Sequence, residues 1–136
     1  RILASPVPPM GSRVTYQDLI DQLTPVGLPI VAPGAASKAL PCITIEPLGM
    51  SLQPGVQVCY DRCAIKVRYS MSQGDEHQFD ECRTATAAAI GQLKGTQVAL
   101  EPDVDILGES DVANPVFYFQ INAAFPGVSL CPEPTP

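Results

Sequence analysis

Residues 57–71, QVCYDRCAIKVRYSM, decide the fold class of this 136-residue chain. Apolar and polar side chains alternate along this segment with a period of two, the pattern of a β-strand with one buried face. The inward face comprises Cys59, Cys63, Ile65, Val67, Tyr69 and Met71, with Asp61 as its polar exception. The outward face comprises Tyr60, Arg62, Ala64, Lys66, Arg68 and Ser70. An alternation this long predicts a half-buried strand in a largely antiparallel sheet.

Two segments with helical periodicity flank this strand. The first is predicted over residues 15–24, with Thr15 as its N-cap. The second begins at a predicted N-cap, Asp75, with Gln78 completing a capping box, and ends at the C′ glycine Gly95. The apolar stripes are Tyr16, Leu19, Ile20 and Leu23 in the first helix and Phe79, Cys82, Thr86, Ala89, Ile90 and Leu93 in the second.

Two further strands are predicted between the first helix and residue 57. One covers residues 28–31, where Pro29 favours a position at the sheet edge. The other covers residues 41–47, with apolar side chains on one face. Residues 47–56 contain two prolines and two glycines, which predicts a long exposed connection after this strand.

Two strands complete the chain. Residues 98–107 predict strand pieces interrupted at Pro102, and residues 116–125 predict a final strand with its phenylalanines facing inward. The order α-β-β-β-α-β-β predicts an α+β fold: a mainly antiparallel sheet of four or five strands with both helices packed on one face. The predicted organisation is a Pro-rich arm at 1–14, one domain at 15–127 and a Pro-rich tail at 128–136.

The charge of the chain is low and unevenly distributed. Charged residues make up 16% and the net charge is −6, which disfavours nucleic-acid binding because phosphates require clustered Lys and Arg. Residues 1–70 carry four acids and six bases (+2), and residues 71–136 carry ten acids and two bases (−8). Few charges favour either subunit association or a lean sequence with long loops. No segment has the length of a membrane span.

The reactive side chains form no recognisable catalytic, metal or cofactor motif. The five cysteines include no CxxC, and the single histidine, His77, lies five residues before Cys82, the wrong spacing for a ligand pair on a helix. An odd cysteine count without a secretory signal favours reduced thiols in a cytoplasmic product. We therefore expect no enzyme activity, no metal and no cofactor, and we expect Cys63 and Cys82 to be buried and unbonded.

Two charged rows are candidates for contacts with other proteins. The basic stripe is formed by Arg62, Lys66 and Arg68, and the acidic row by Glu101, Asp103 and Asp105, continued by Glu109 and Asp111. A protein interface is favoured for the basic stripe over contact with a nucleic-acid backbone.

The order of these elements resembles a known family. The quoted segments are TYQDLIDQL at 15–23, LPCITIEP at 40–47 and CAIKVRY at 63–69, followed by an Asp-started helix and a terminal aromatic strand. Together they resemble the tail terminator proteins of long-tailed bacteriophages, particularly those that infect actinobacteria. The resemblance covers roughly residues 15–125 and consists of element order, length and diffuse similarity.

The resemblance implies a structural virion protein. Such a protein forms a homohexameric ring, caps the tail tube, binds the tail tube protein and a head–tail connector or stopper protein, and lets DNA pass only as cargo. It is assembled in the host cytoplasm, ends in the tail or neck of the virion and contacts no membrane. The alternatives are another connector or neck protein, a small cytoplasmic adaptor, or a secreted cysteine-stabilised binder.

Two contacts are expected if the resemblance holds. In a closed ring each subunit uses two different surfaces, so the basic stripe is expected to face the acidic row of a neighbour. The alternative is pairing of adjacent strands within one subunit. The connection at 47–56 is expected to reach the tail tube or the ring lumen, with docking residues Leu48, Met50, Leu52 and Gln53.

Overall fold

The chain forms a five-stranded mixed sheet with two helices on one face, an α+β fold with the predicted order of elements. The computed structural model describes residues 14–36, 39–52, 58–70, 76–109 and 116–129. The elements are α1 (Tyr16–Leu23), a 3₁₀ turn (Thr24–Val26), β1 (Ile30–Val31), β2 (Cys42–Ser51), β3 (Val58–Ser70), α2 (Glu76–Leu93), β4 (Ala99–Glu109) and β5 (Val116–Ser129).

The sheet has the strand order β1-β2-β3-β5-β4. The β1–β2 pair is parallel and the other three pairs are antiparallel. The predicted long strand, β3, is central, and its Ile65 lies opposite Ile45 of β2 and Ile121 of β5. Since directly opposed residues share a sheet face, these three isoleucines form a buried row under the helices.

The core lies between the helices and the inner sheet face. Leu19 and Leu23 of α1 and Cys82 and Leu93 of α2 have no exposed surface, and they pack against the inward residues of β2, β3 and β5. The predicted inward faces of β3 and β5 are buried as expected, apart from the half-buried Asp61, and Met71 lies outside the described residues. The face of β3 that carries the charged residues lies on the side of the sheet away from this core.

The structure describes the N-terminal cap of α1 and the C-terminal cap of α2. At α1, Thr15 Oγ1 accepts from the Asp18 N–H, and Asp18 Oδ2 accepts from the Thr15 N–H at 2.8 Å. This reciprocal pair is a capping box and confirms the predicted start of the helix. At the end of α2, Gly95 has φ +85°, the left-handed conformation of a C′ glycine. The predicted N-cap Asp75 lies outside the described residues. Of the predicted arms at 1–14 and 128–136, the structure describes Val14, whose N–H donates to the Pro126 carbonyl oxygen, and residues 128–129, which belong to β5 rather than to a tail.

The sequence-based predictions around Pro47 and Pro102 are wrong. Residues 47–51 are the second half of β2 rather than a loop, with a bulge between Pro47 and Gly49 and φ +129° at Gly49. β4 runs without a break across Pro102, although its register against β5 shifts between Leu100 and Val104. Among the described residues, no strand pairs with the outer edge of β2 at Pro47 or of β4 at Pro102, and such an edge tolerates a residue without an N–H.

Candidate functional site

The outer sheet face carries the basic stripe, and two of its three bases are paired within the subunit. Lys66 Nζ lies 2.9 Å from Glu46 Oε2 on β2, and 4.8 Å from the centre of the Tyr118 ring. Arg68 reaches across β5 to β4, where Nε and Nη2 donate to the two carboxylate oxygens of Glu109 at 2.8 and 2.9 Å. A bidentate arginine–carboxylate pair is the stronger of these two arrangements.

Arg62 differs from the other two bases. Its Nη2 lies 3.5 Å from the Leu48 carbonyl oxygen, a long hydrogen bond, and it has no carboxylate partner within the described part of the chain. Arg62 stands opposite Gly49, where the glycine leaves room for the guanidinium: a Cβ at Gly49 would lie 3.3 Å from Nη2. The guanidinium therefore lies beside the bulge of β2, without a counter-charge among the described residues.

These pairs distinguish two bases of the predicted stripe, Lys66 and Arg68, from the third, Arg62. Lys66 and Arg68 both pair within the subunit, but only Arg68 does so with a member of the predicted acidic row, Glu109; the partner of Lys66, Glu46, is not part of that row. The two strands are not adjacent, however, because β5 lies between β3 and β4. A contact of the stripe with a neighbouring subunit stays a prediction, and Arg62 is the base left to make it.

The acidic row lies along a free sheet edge. Glu101, Asp103 and Asp105 are exposed on β4, which pairs with β5 on one side and has no strand on its other side among the described residues. Asp105 lies opposite Gln120. Asp111 falls outside the described residues. Acidic side chains along an edge oppose pairing of that edge with a second copy of itself.

The predicted docking connection is a strand with exposed apolar side chains. The exposed fractions are 44% for Leu48, 59% for Met50 and 71% for Leu52. Leu48 and Met50 lie in the part of β2 that runs along β3 but extends beyond β1, which pairs with β2 only at Ile43 and Thr44, and Leu52 follows the end of β2. Gln53 lies outside the described residues. Large apolar side chains this exposed, and this close together, are typical of a protein contact surface.

A buried-side contact of Asp61 that the sequence analysis did not predict lies on the inner face at the same end of the sheet. Asp61, the one polar residue of the inward face of β3, packs against Gly127 of β5 so closely that a Cβ there would lie 2.8 Å from Asp61 Cγ and 3.3 Å from the Cys59 carbonyl oxygen. The isolated polar residue in an apolar face was the available signal. Burial, with the nearby Asp61 carboxylate, raises the pKa of Cys63 to about 12.

The buried thiols of Cys63 and Cys82 are unreactive as nucleophiles. Cys63 and Cys82 are fully buried and free, which confirms their predicted burial. Burial raises the pKa of Cys82 to about 11, and its Sγ donates to the Val67 carbonyl oxygen at 3.3 Å. Since the thiolate is the reactive form of cysteine, neither side chain is available as a nucleophile at neutral pH.

The remaining surface offers shallow clefts. One of about 350 Å³ lies between the end of α2 and β4 and is lined by Ile90, Val98, Leu100 and Val104, together with Lys94 and Glu101. Within the ranges that the structure describes, no group of three or more His, Cys, Asp or Glu side chains is arranged to hold a metal ion. None of the described helices has the length and apolarity to cross a membrane.

Comparisons with known proteins add no identification. The chain matches no model of a known protein family and no curated protein.

Proposed function

We propose that this chain is a tail terminator of a long-tailed bacteriophage, a structural protein that caps the tail tube as a homohexameric ring and joins it to the head connector. The proposal starts from the resemblance carried by residues 15–125. The α+β fold has the element order on which that resemblance depends. The described residues carry exposed contact surfaces rather than an enclosed cleft with reactive groups.

One observation carries the proposal: the domain presents two unlike surfaces on different strands. Exposed apolar Leu48 and Met50 of β2 lie on one side of β3, and the acidic edge of β4, free among the described residues, lies beyond β5 on the other side. A closed ring of identical subunits uses two different surfaces of each subunit, whereas a twofold dimer uses one surface twice. The net charge of −6 per chain also suits a lumen through which DNA passes without being held.

Electron microscopy of the purified chain, combined with native mass spectrometry, tests the proposal. Six-membered rings are expected, and addition of these rings to growing tail tubes is expected to stop elongation at the end that receives the head. A head–tail connector or neck protein of another kind would form rings that leave tube growth unchanged. A chain that remains monomeric or dimeric at all concentrations would contradict the proposal and favour the adaptor alternative.

A further inference from the structure

One end of the inner sheet face is only partly covered by the helices. This inner-face end consists of Met50 of β2, Asp61 of β3, and Phe125 and Gly127 of β5. Asp61 lies directly opposite both Met50 and Phe125, so these three side chains share one face of the sheet. The Tyr16 ring of α1 packs edge-on against Phe125, which is fully buried, whereas Met50 is 59% exposed. The cover that α1 gives this end therefore reaches Phe125 but not Met50.

The Asp61 carboxylate at this end has no counter-charge in the described part of the chain. It is half-buried against Gly127 and makes no hydrogen bond or ion pair with another described residue. The phenol of Tyr16 is close by, since burial, with Cys63 and Asp61 nearby, raises the pKa of Tyr16 to about 12. Neither this phenol nor the Cys63 thiol carries a positive charge. A carboxylate that is partly removed from water is stabilised by a cation, so Asp61 offers a site for a basic group.

The eight bases of the chain divide into five that the structure describes and three that it does not. The described five are paired with other carboxylates, lie on the outer face opposite Gly49, or line the cleft at the end of α2: Lys66, Arg68 and Arg83, then Arg62, then Lys94. None of these positions faces Asp61 on the inner face. The partner is therefore sought among the undescribed three: Arg1, Arg13 and Lys38.

The described chain begins beside the Asp61 carboxylate. The N–H of Val14 donates to the Pro126 carbonyl oxygen at 2.8 Å, and Pro126 precedes the glycine against which Asp61 packs. Arg13 is the residue immediately before Val14. Lys38, by contrast, precedes the start of β2, which lies at the far end of β3 from Asp61. Arg13 is thus the undescribed base that the fold places nearest to this carboxylate.

The other undescribed segments at this end of the sheet have unsuitable charges. Residues 53–57 and 130–136 follow β2 and β5 and contain no Lys or Arg, and the second segment contains Glu133. A second carboxylate near Asp61 would oppose binding, because like charges repel. Residues 10–13, Met-Gly-Ser-Arg, combine a base with a large apolar side chain. Both features match the inner-face end, where a carboxylate lies opposite an exposed methionine.

We propose that residues 10–13 cross the inner-face end of their own chain, with the Arg13 guanidinium on the Asp61 carboxylate and Met10 on Met50. From Val14, beside β5, the strand β2 is three strand spacings away, about 14 Å in all. The four residues from Val14 back to Met10 span at most roughly 14 Å when extended, which is enough to reach β2. Met50 is also a predicted docking residue, so a partner that binds there has to displace Met10. That consequence, unlike the contact itself, rests on the proposed function.

A double-mutant cycle in the full chain tests the ion pair. Arg13→Met keeps the aliphatic stem of the side chain, and Asp61→Asn keeps the shape of the carboxylate. Arg13→Met is expected to raise the equilibrium constant for urea unfolding about fivefold, the scale of one ion pair, and to leave it unchanged in the Asp61→Asn background. Arg1→Met removes the same charge from the same arm and is the matched control, expected to have no effect. An equal effect of Arg13→Met in both backgrounds, or none in either, would overturn the pair.

Cross-linking tests the crossing without changing Asp61. In a Cys131→Ser background, Met10→Cys and Met50→Cys together are expected to form a disulfide within one chain in a glutathione redox buffer, at a rate independent of protein concentration. Met10→Cys with Thr84→Cys, at an exposed position of α2, is the control and is expected to remain unlinked. A disulfide between chains that disappears on dilution would assign the segment to a neighbouring copy and overturn the same-chain contact. No disulfide at all would also overturn the crossing, and would favour extension of residues 10–13 along the edge of β5.

The outcomes separate this inference from the proposed function. Six-membered rings with no coupling between Arg13 and Asp61 would refute the contact and leave the terminator proposal standing. A chain that remains monomeric but shows both the coupling and the disulfide would retain the contact, while the terminator proposal fails.

Discussion

The ion pair between Arg68 and Glu109 is expected to stabilise the isolated subunit, and this can be measured directly. The pair spans three strands, and the exposed fractions of its side chains are only 15% for Arg68 and 35% for Glu109. Exposed pairs contribute about 0–1 kcal/mol. Since two hydrogen bonds of 2.8 and 2.9 Å hold this pair in a partly buried site, we expect a coupling free energy of about 1 kcal/mol, at the upper end of that range.

A double-mutant cycle isolates this coupling. Arg68→Met keeps the aliphatic stem beside Tyr118, its neighbour on β5, and Glu109→Gln keeps the shape of the carboxylate. Each single variant is expected to lower the free energy of unfolding by about 1–2 kcal/mol because its partner is left without a counter-charge, and the double variant by less than the sum. Urea unfolding at concentrations where the chain is monomeric supplies the values. A coupling below about 0.3 kcal/mol, the low end of measured exposed pairs, would refute the intrasubunit pair and return Arg68 to the intersubunit hypothesis.

Three further perturbations are expected to give defined results. Gly127→Ala should cost about 1–3 kcal/mol in urea unfolding through overlap with Asp61, and Asp61→Ala should recover much of that cost; an additive double variant would contradict the close contact. Cys82→Ala should cost on the order of 1 kcal/mol through lost buried volume and leave assembly intact; a loss of rings in a stably folded variant would contradict a purely structural role. Because the pKa of Cys63 is raised from 9.0 to about 12 in the folded chain, the thiol ionises at lower pH in the unfolded chain. The free energy of unfolding should therefore fall as pH rises from 9 towards 12. Cys63→Ala should flatten this dependence, and an equally steep fall in that variant would exclude Cys63 as its source.

The sequence predicted those elements whose signals are local. The alternation along β3 follows from its place at the centre of the sheet, where one face meets the helices and the other does not. The start of α1 is a reciprocal pair of hydrogen bonds over three residues, Thr15 to Asp18, so that it too is visible in the sequence. Residues 47–51 were assigned to a loop because proline and glycine are loop signals, yet a free edge and a bulge accommodate both Pro47 and Gly49 within β2.

The partner of Arg68 could not be predicted from the sequence for a different reason. Which carboxylate meets Arg68 depends on the spatial strand order, in which β5, the last strand in the chain, lies between β3 and β4. Nothing in the spacing of Arg68 and Glu109, 41 residues apart, indicates this order. Leu48, Met50 and Leu52 were selected because the length of residues 47–56 and their prolines and glycines predicted a functional connection, a signal that does not depend on strand order.

The intrasubunit pairs also change what a charge-reversal experiment can show. Replacing all three bases of the stripe by glutamate would place carboxylates beside Glu46 and Glu109, the present partners of Lys66 and Arg68. Because like charges at such distances oppose folding, loss of assembly in the triple variant would not distinguish a broken interface from a destabilised subunit. Arg62 has no carboxylate partner in the described chain and only a long hydrogen bond to the Leu48 carbonyl oxygen, so its reversal is expected to disturb the subunit less than reversal of Lys66 or Arg68. The smallest substitution is therefore the most informative one for the arrangement of subunits.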